Sequence, residues 1–332
     1  MSAAVQLQDG VAVSPRGAME LRLQCPACRA PIGFLPADER PSLRSCPSCS
    51  FQMAEEHGIW RALPANRAAY YAKFMREYQA VRKAEGRGSS DSEYYLALPY
   101  RDLSGCNEEQ WTIRARTYSF LERKLLPRFE RRRPGALNIL DLGAGNGWLS
   151  FRLALRGHLP VAIDLLASEL DGLGAATHYR QKLPALFARF QAELDSLPFE
   201  EGQFDLAIFN ASFHYSEQYG RTLGEAIRCL RPGGSVILTD TAWYKHDESG
   251  QRMLKERRAA FVARFGFPSD GLASLEYLTD SRLAVLQEQL GIRWKTYSPY
   301  YGLRWAMRPL AAKLKRKREP SRFRIYVAEV AK

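Results

Sequence analysis

The sequence predicts an α/β protein: an open, mostly parallel sheet with helices on both faces, preceded by a small cysteine-bound module. Three observations carry this. From Asn138 to Ser150 an apolar strand, Ile139-Leu140-Asp141-Leu142, runs into alternating glycines, Gly143, Gly145 and Gly147, and then into a helix beginning near Trp148. Further strand-like segments, Leu159–Asp164, Phe204–Phe209 and Ser235–Asp240, follow with helical stretches between them, the alternation of a parallel sheet. Four of the six cysteines form two identical pairs, Cys25-Pro26-Ala27-Cys28 and Cys46-Pro47-Ser48-Cys49, seventeen residues apart.

Glycine accepts positive φ and lets a ligand approach the backbone with no Cβ in the way. A helix that starts just after such a turn aims its free N–H groups at the ligand. A glycine turn between strand and helix marks either a dinucleotide site or an S-adenosylmethionine (SAM) site. The dinucleotide fingerprint needs a third glycine three positions after the second, and position 148 is Trp. Asp164 ends the next strand, 17 residues after Gly147, where a carboxylate can accept both hydroxyls of a ribose.

The cysteine spacing falls in the range of zinc sites. Each C-P-x-C turn aims two thiolates at one metal, and Cys25, Cys28, Cys46 and Cys49 together fill a tetrahedral shell. No coordination position is left open, so the metal is expected to be structural; a disulfide pair is the alternative reading of the four cysteines. Cys106 and Cys229 lack partners at metal spacing.

The chain has 332 residues, 46% hydrophobic and 25% charged, a globular composition with room for two domains. No apolar run approaches the ~18–20 residues of a membrane span. The N-terminal stretch lacks the basic start and apolar core of a signal peptide, so residues 1–20 are expected to form a flexible tail and the protein to be cytoplasmic. The net charge is +12, and from Gly291 onward twelve Lys/Arg face two acids. That concentration points to an acidic neighbour: a phosphorylated substrate, anionic lipid head groups or nucleic acid.

The pattern D-x-G-x-G-x-G from Asp141 to Gly147 resembles motif I of the Rossmann-like, class I SAM-dependent methyltransferases, near their type 11 group. Two further blocks resemble the same family in the same order. One is Glu193-Leu194-Asp195-Ser196-Leu197-Pro198-Phe199 followed by Phe204-Asp205; the other is Leu230-Arg231-Pro232-Gly233-Gly234 leading to Asp240. The cysteine pairs with the strand Ile59–Leu63 are similar to small zinc ribbons that partner, or are fused to, tRNA, protein and ribosomal RNA methyltransferases. The resemblance implies a seven-stranded sheet of order 3-2-1-4-5-7-6, SAM as cofactor and a structural Zn2+. It lays SAM against Asp141, Gly143, Ala144, Gly145, Asn146 and Gly147, with Asp164 and Leu165 at the ribose. Glu193 and Leu194 fall at the adenine, Asn210 beside the cofactor, and Arg114 toward the methionine carboxylate. His214, just past the fourth strand, is the candidate general base.

The expected organisation is a ribbon over 21–64, a helical linker and cofactor cap over 65–134, and a methyltransferase domain over 135–332. Within that domain a helical lid spans 243–290 and a basic insertion spans 300–320. Tyr70, Phe74, Tyr78 and Val81 mark one face of a helix, and Tyr94, Tyr95 and Tyr100 are candidates for lining a substrate pocket. The favoured acceptor is a small molecule, lipid or glycolipid. RNA is the rival, gripped by the ribbon and the basic segment, which is also the candidate contact to a peripheral membrane. A non-catalytic SAM-binding scaffold is a third reading.

Overall fold

A computed structural model of the chain describes residues 20–35 and 43–330; the expected tail lies outside them except for Glu20. Strands β1 (Leu21–Gln24) and β2 (Pro31–Leu35) form a hairpin, and β3 (Leu43–Ser45), β4 (Gln52–Glu56) and β5 (Ile59–Arg61) form a meander. Helices α1 (Ala65–Ala84), α2 (Ser92–Ala97) and α3 (Glu108–Phe120) follow, then a π-helical turn, Leu121–Leu125, and α4 (Leu126–Arg132). The α/β part runs β6 (Asn138–Leu142), α5 (Trp148–Leu155), β7 (Leu159–Asp164), β8 (Ala188–Gln191), β9 (Phe204–Asn210), α6 (Tyr219–Cys229) and β10 (Leu230–Thr239). It closes with α7 (Asp247–Phe265), α8 (Asp280–Leu290), β11 (Trp294–Tyr297), α9 (Leu303–Ala306), α10 (Arg308–Leu314) and β12 (Ile325–Glu329).

One sheet of ten strands runs β11-β12-β10-β9-β6-β7-β8-β5-β4-β3. Its centre is parallel, and β12 is antiparallel to both β10 and β11. Strand β9, Phe204-Asp205-Leu206-Ala207-Ile208-Phe209, is buried on both faces, as a strand with helices above and below must be. The sequence leads to seven strands because the cysteine region reads as a separate module. Instead β5 pairs parallel to β8, with Trp60 opposite Phe190, and carries β4 and β3 onto the same sheet.

The module is also bound through β1. Arg22 N donates to Gln203 Oε1 at 2.7 Å, Gln24 N to Pro198 O at 3.2 Å, and Ser196 Oγ to Pro26 O at 2.9 Å. Leu21, Leu23, Cys25, Cys46 and Met53 enter the same apolar core as Phe190, Phe199 and Phe204. The Leu197-Pro198-Phe199 block is thus where the cysteine module is fastened.

The expected lid over 243–290 divides. Helix α7 is largely exposed, whereas α8 buries Leu283 and Leu286 in the core that includes Leu223 and Ala226 of α6. Tyr94 and Tyr95 line neither of the two cavities at the glycine turn; Tyr95 is fully buried, stacked 4.4 Å from His178 and donating to Leu170 O at 2.6 Å.

Candidate active site

The glycine turn lies at the carboxyl edge of the sheet between β6 and β7. Gly143 has φ +75°, and a Cβ there would collide with Ser212. Gly145 has φ +56°, and the space its Cβ would fill is open. The backbone is therefore bare where a ligand would lie. Asp164 holds the turn from the next strand: Oδ2 accepts from Gly145 N and Oδ1 from Leu166 N, both at 2.8 Å. Burial raises its pKa.

Gly143, Gly145, Asp164, Leu165 and Leu194 line one narrow pocket of about 100 Å³. Of the other residues expected on the cofactor, Arg114 lines a second cavity and the rest lie outside both linings. Asp141 is buried and accepts from Ser150 N at 3.1 Å and Ser150 Oγ at 2.7 Å, tying β6 to α5; burial pushes it up to about 7. Ala144 packs in the apolar cluster, and Asn146 Oδ1 accepts from Trp148 N at 3.3 Å. Gly147 begins α5 with φ +75°, its Cα facing the Phe187 ring. Asn210 Oδ1 accepts from Thr239 Oγ1 at 3.0 Å.

Glu193 has a different task from the one expected. Its carboxylate holds Arg67 of α1 through Nη2 at 2.6 Å and Nε at 2.9 Å, and accepts from Tyr71 OH at 3.0 Å. Glu193 is not in the pocket lining; Asp195 is the acid that lines it beside Leu194. The Arg67 pair fastens α1 across the site, where Tyr71, Phe74 and Tyr78 cover the narrow pocket. The covering face is Tyr71, Phe74, Tyr78 and Val81, spaced three, four and three. Tyr70, expected on that face, is 49% exposed and hydrogen-bonds Glu217 at 2.8 Å.

A second cavity of about 590 Å³ adjoins the first, and Phe74, Tyr78, Ala211, Tyr215 and Leu272 line both. Its wall includes His214, Asp240, Arg114, Arg257, Glu276, Trp305 and Arg308. Burial holds His214 down to about 4, so its imidazole is neutral at pH 7, and its Nδ1 is buried without a hydrogen-bond partner. Asp240 follows β10. Thr117 Oγ1 donates to its Oδ1 at 2.6 Å, while Oδ2 is buried and unpartnered; burial pushes this acid up to about 6. Ala211 and Asp240, at adjacent strand ends, adopt left-handed φ of +55° and +51°. Backbone strain of this kind clusters at ligand sites.

Arg114 belongs to this larger cavity, not to the glycine-turn pocket. Burial lowers it to about 10, leaving it a cation, and among the described residues no carboxylate pairs with it. Arg308 lies 3.6 Å over the Trp305 ring and donates to Ser321 O at 3.2 Å. Arg257 is bound by Glu276 through two hydrogen bonds of 2.6 and 2.7 Å. Asp240, Asp195 and Tyr71 are functional candidates that the sequence reading passes over. Asp240 carries the same signal as Asp164, an acid where a strand ends.

In the cysteine module the sulfurs of Cys25, Cys28, Cys46 and Cys49 all lie within 4.8 Å of one another. The pairs Cys25–Cys49 and Cys28–Cys46 are each 3.5 Å apart. A tetrahedral ion with bonds of ~2.3 Å would set its sulfurs about 3.8 Å apart. Ser48 N points at Cys46 Sγ at 3.4 Å, a donor that favours the thiolate.

Residues 140–238 match the family described as methyltransferase domain. The malonyl-[acyl-carrier protein] O-methyltransferase of Erwinia pyrifoliae is 32% identical over 111 residues, 33% of this chain and 40% of that protein. The protein of the same name from Pseudescherichia vulneris is 31% identical over 183 residues, 51% of this chain and 68% of that one. The chain thus spans less than half the length of the first of these curated relatives. A SAM-dependent methyltransferase structure from Mesorhizobium loti aligns with a TM-score of 0.40 at 19% identity, covering 61% of this chain and 96% of the other. With the glycine turn, its strand-end acid and a relative matched over two thirds of its length, the chain belongs to the class I SAM-dependent methyltransferases.

Proposed function

We propose that the chain is an active methyltransferase that moves a methyl group from SAM to an O, N or C nucleophile of a small-molecule or lipid-like acceptor bearing an anionic group. The observation that carries this is the junction of two pockets. One is built on Gly143, Gly145 and Asp164, and the other holds two orphaned buried polar atoms, His214 Nδ1 and Asp240 Oδ2. The residues fit the cofactor. The turn is bare at Gly145, Asp164 offers a carboxylate to the ribose, and Leu194 offers an apolar wall to the adenine. Asp195 lines the same wall.

When bound, SAM supplies a methyl group already activated on a sulfonium, so the chain's residues mainly align and deprotonate. Asp240 Oδ2 accepts the proton released as the acceptor's hydroxyl or amine bonds to the methyl carbon and the carbon–sulfur bond breaks. Neutral His214 accepts a second hydrogen bond and fixes the acceptor's orientation. Arg114 and Arg308, cations without carboxylate partners among the described residues, favour a carboxylate or phosphate on the acceptor. In the cysteine module the same reading assigns a structural Zn2+ to Cys25, Cys28, Cys46 and Cys49, whose sulfur separations suit a tetrahedral shell.

Asp240 acts when deprotonated. kcat/KM is therefore expected to rise with pH through about 6 and then level off. Asp240→Asn is expected to flatten that limb and lower the plateau by about 10²–10⁴-fold. The same shift has a stability sign. The fold favours the protonated acid, so Asp240 contributes stability below its ordinary 3.8 that is lost as pH climbs to about 6. A wild-type rise that survives in Asp240→Asn would remove Asp240 from the proton path.

The reading is tested by calorimetric titration of the zinc-loaded chain with SAM, its demethylated product and NADH. Saturable binding of the first two and none of NADH is expected. Transfer of labelled methyl into lipid, metabolite and RNA fractions then names the acceptor. Well-folded protein that binds no SAM would refute it.

A further inference from the structure

Between β11 and β12 the chain does not turn tightly; it builds α9 and α10 on the rim of the larger cavity. Trp305 and Arg308 face inward and line that cavity, with Trp305 stacked on Phe323 at a centroid distance of 5.4 Å. The outward side is apolar. Leu303, Met307, Leu310 and Leu314 recur at spacings of four, three and four, one stripe along the two helices. They are 71%, 47%, 50% and 77% exposed, and Tyr300 beside them is 72% exposed. Isolated exposed leucines are ordinary, but a contiguous stripe at helical spacing marks an interaction surface.

The stripe is set in positive charge. Arg304, Lys313, Lys315, Arg316 and Lys317 are all exposed and none forms an ion pair among the described residues. No acid occurs from Leu303 to Arg318. An apolar face centred in free cations is the signature of a helix that lies in the plane of an anionic lipid surface. Among the described residues no helix is long and apolar enough to cross a membrane, so the segment would rest on a bilayer without spanning it.

We infer that α9 and α10 form a docking surface for an anionic lipid bilayer. The aliphatic stripe enters the boundary between head groups and acyl chains, and the lysines and arginines meet the head groups. RNA fits the cations but not the stripe, because phosphate contacts require charge alone. In this pose Trp305, Arg308 and Phe323 bring the cavity rim to the lipid plane. An amphiphilic acceptor would then reach the methyl donor without crossing water. Docking itself is independent of methyl transfer, whereas that delivery rests on the methyltransferase reading above.

The test is co-sedimentation of the zinc-loaded full chain with vesicles of phosphatidylglycerol and phosphatidylcholine, and with phosphatidylcholine alone. Binding is expected to the anionic vesicles and to fall with added salt. Leu310→Ser with Leu314→Ser is expected to weaken it by about tenfold or more, from lost apolar burial. Lys315→Gln with Lys317→Gln is expected to weaken it and reduce its salt dependence. Both variants change exposed positions and should titrate SAM as the wild type does. A failure of SAM binding is thereby read separately from a failure of docking. No binding to anionic vesicles at low salt would overturn the inference. So would leucine variants that bind as tightly as wild type, and that result with retained RNA binding would assign the surface to a polyanion.

Discussion

Asp164→Ala is expected to weaken SAM binding on the order of a hundredfold or more. The carboxylate would accept both ribose hydroxyls, and hydrogen bonds to a charged group contribute about 1.5–3 kcal/mol each. Two of them correspond to roughly 10²–10⁴ in Kd. The same side chain ties Gly145 N and Leu166 N, so the variant also loosens the turn. A SAM analogue without ribose hydroxyls separates the two roles. Wild type should prefer SAM to the analogue strongly, and Asp164→Ala should lose that preference. Calorimetry on protein of unchanged circular dichroism is the measurement, and equal discrimination by both proteins would exclude a ribose contact.

Removal of the metal should have the larger effect on stability. Structural zinc contributes on the order of 10–16 kcal/mol of apparent binding energy in isolated modules. Here the module is not isolated: Leu23, Cys25, Cys46 and Met53 share a core with Phe190 and Phe199, and β5 pairs with β8. Chelation, or Cys46→Ser, is therefore expected to lower the unfolding temperature of the whole chain by about 10 °C or more, since each kcal/mol moves a domain of this size by roughly 2–4 °C. Metal analysis should find one zinc per chain. Protein purified without zinc, or an unfolding temperature indifferent to chelator, would contradict the assignment.

What the sequence makes legible is what is local. Strand β6, the glycine turn and the start of α5 occupy thirteen consecutive residues, Asn138 to Ser150, and their conformations are set by neighbours in the chain. Asp164 lines the pocket at the place its position at a strand end predicts. The pairing of Glu193 is not foreseen because its partner, Arg67, stands 126 residues earlier on an element whose docking no local pattern reveals. The covering face of α1 slips by one residue for a related reason. Tyr70 and Tyr71 are adjacent aromatics, and only the packing against the sheet selects Tyr71. The three added strands depend on backbone pairing between β5 and β8, which leaves no side-chain signature.

The connection from β5 to α1 is three residues, Ala62 to Pro64, and Ala62 N is bonded to Gln191 O at 2.9 Å. The helix that roofs the cofactor pocket is therefore rooted in the meander that carries Cys46 and Cys49. On the proposed reading, zinc occupancy and SAM retention become one linked variable: whatever slackens the thiolate knot loosens the roof at its root.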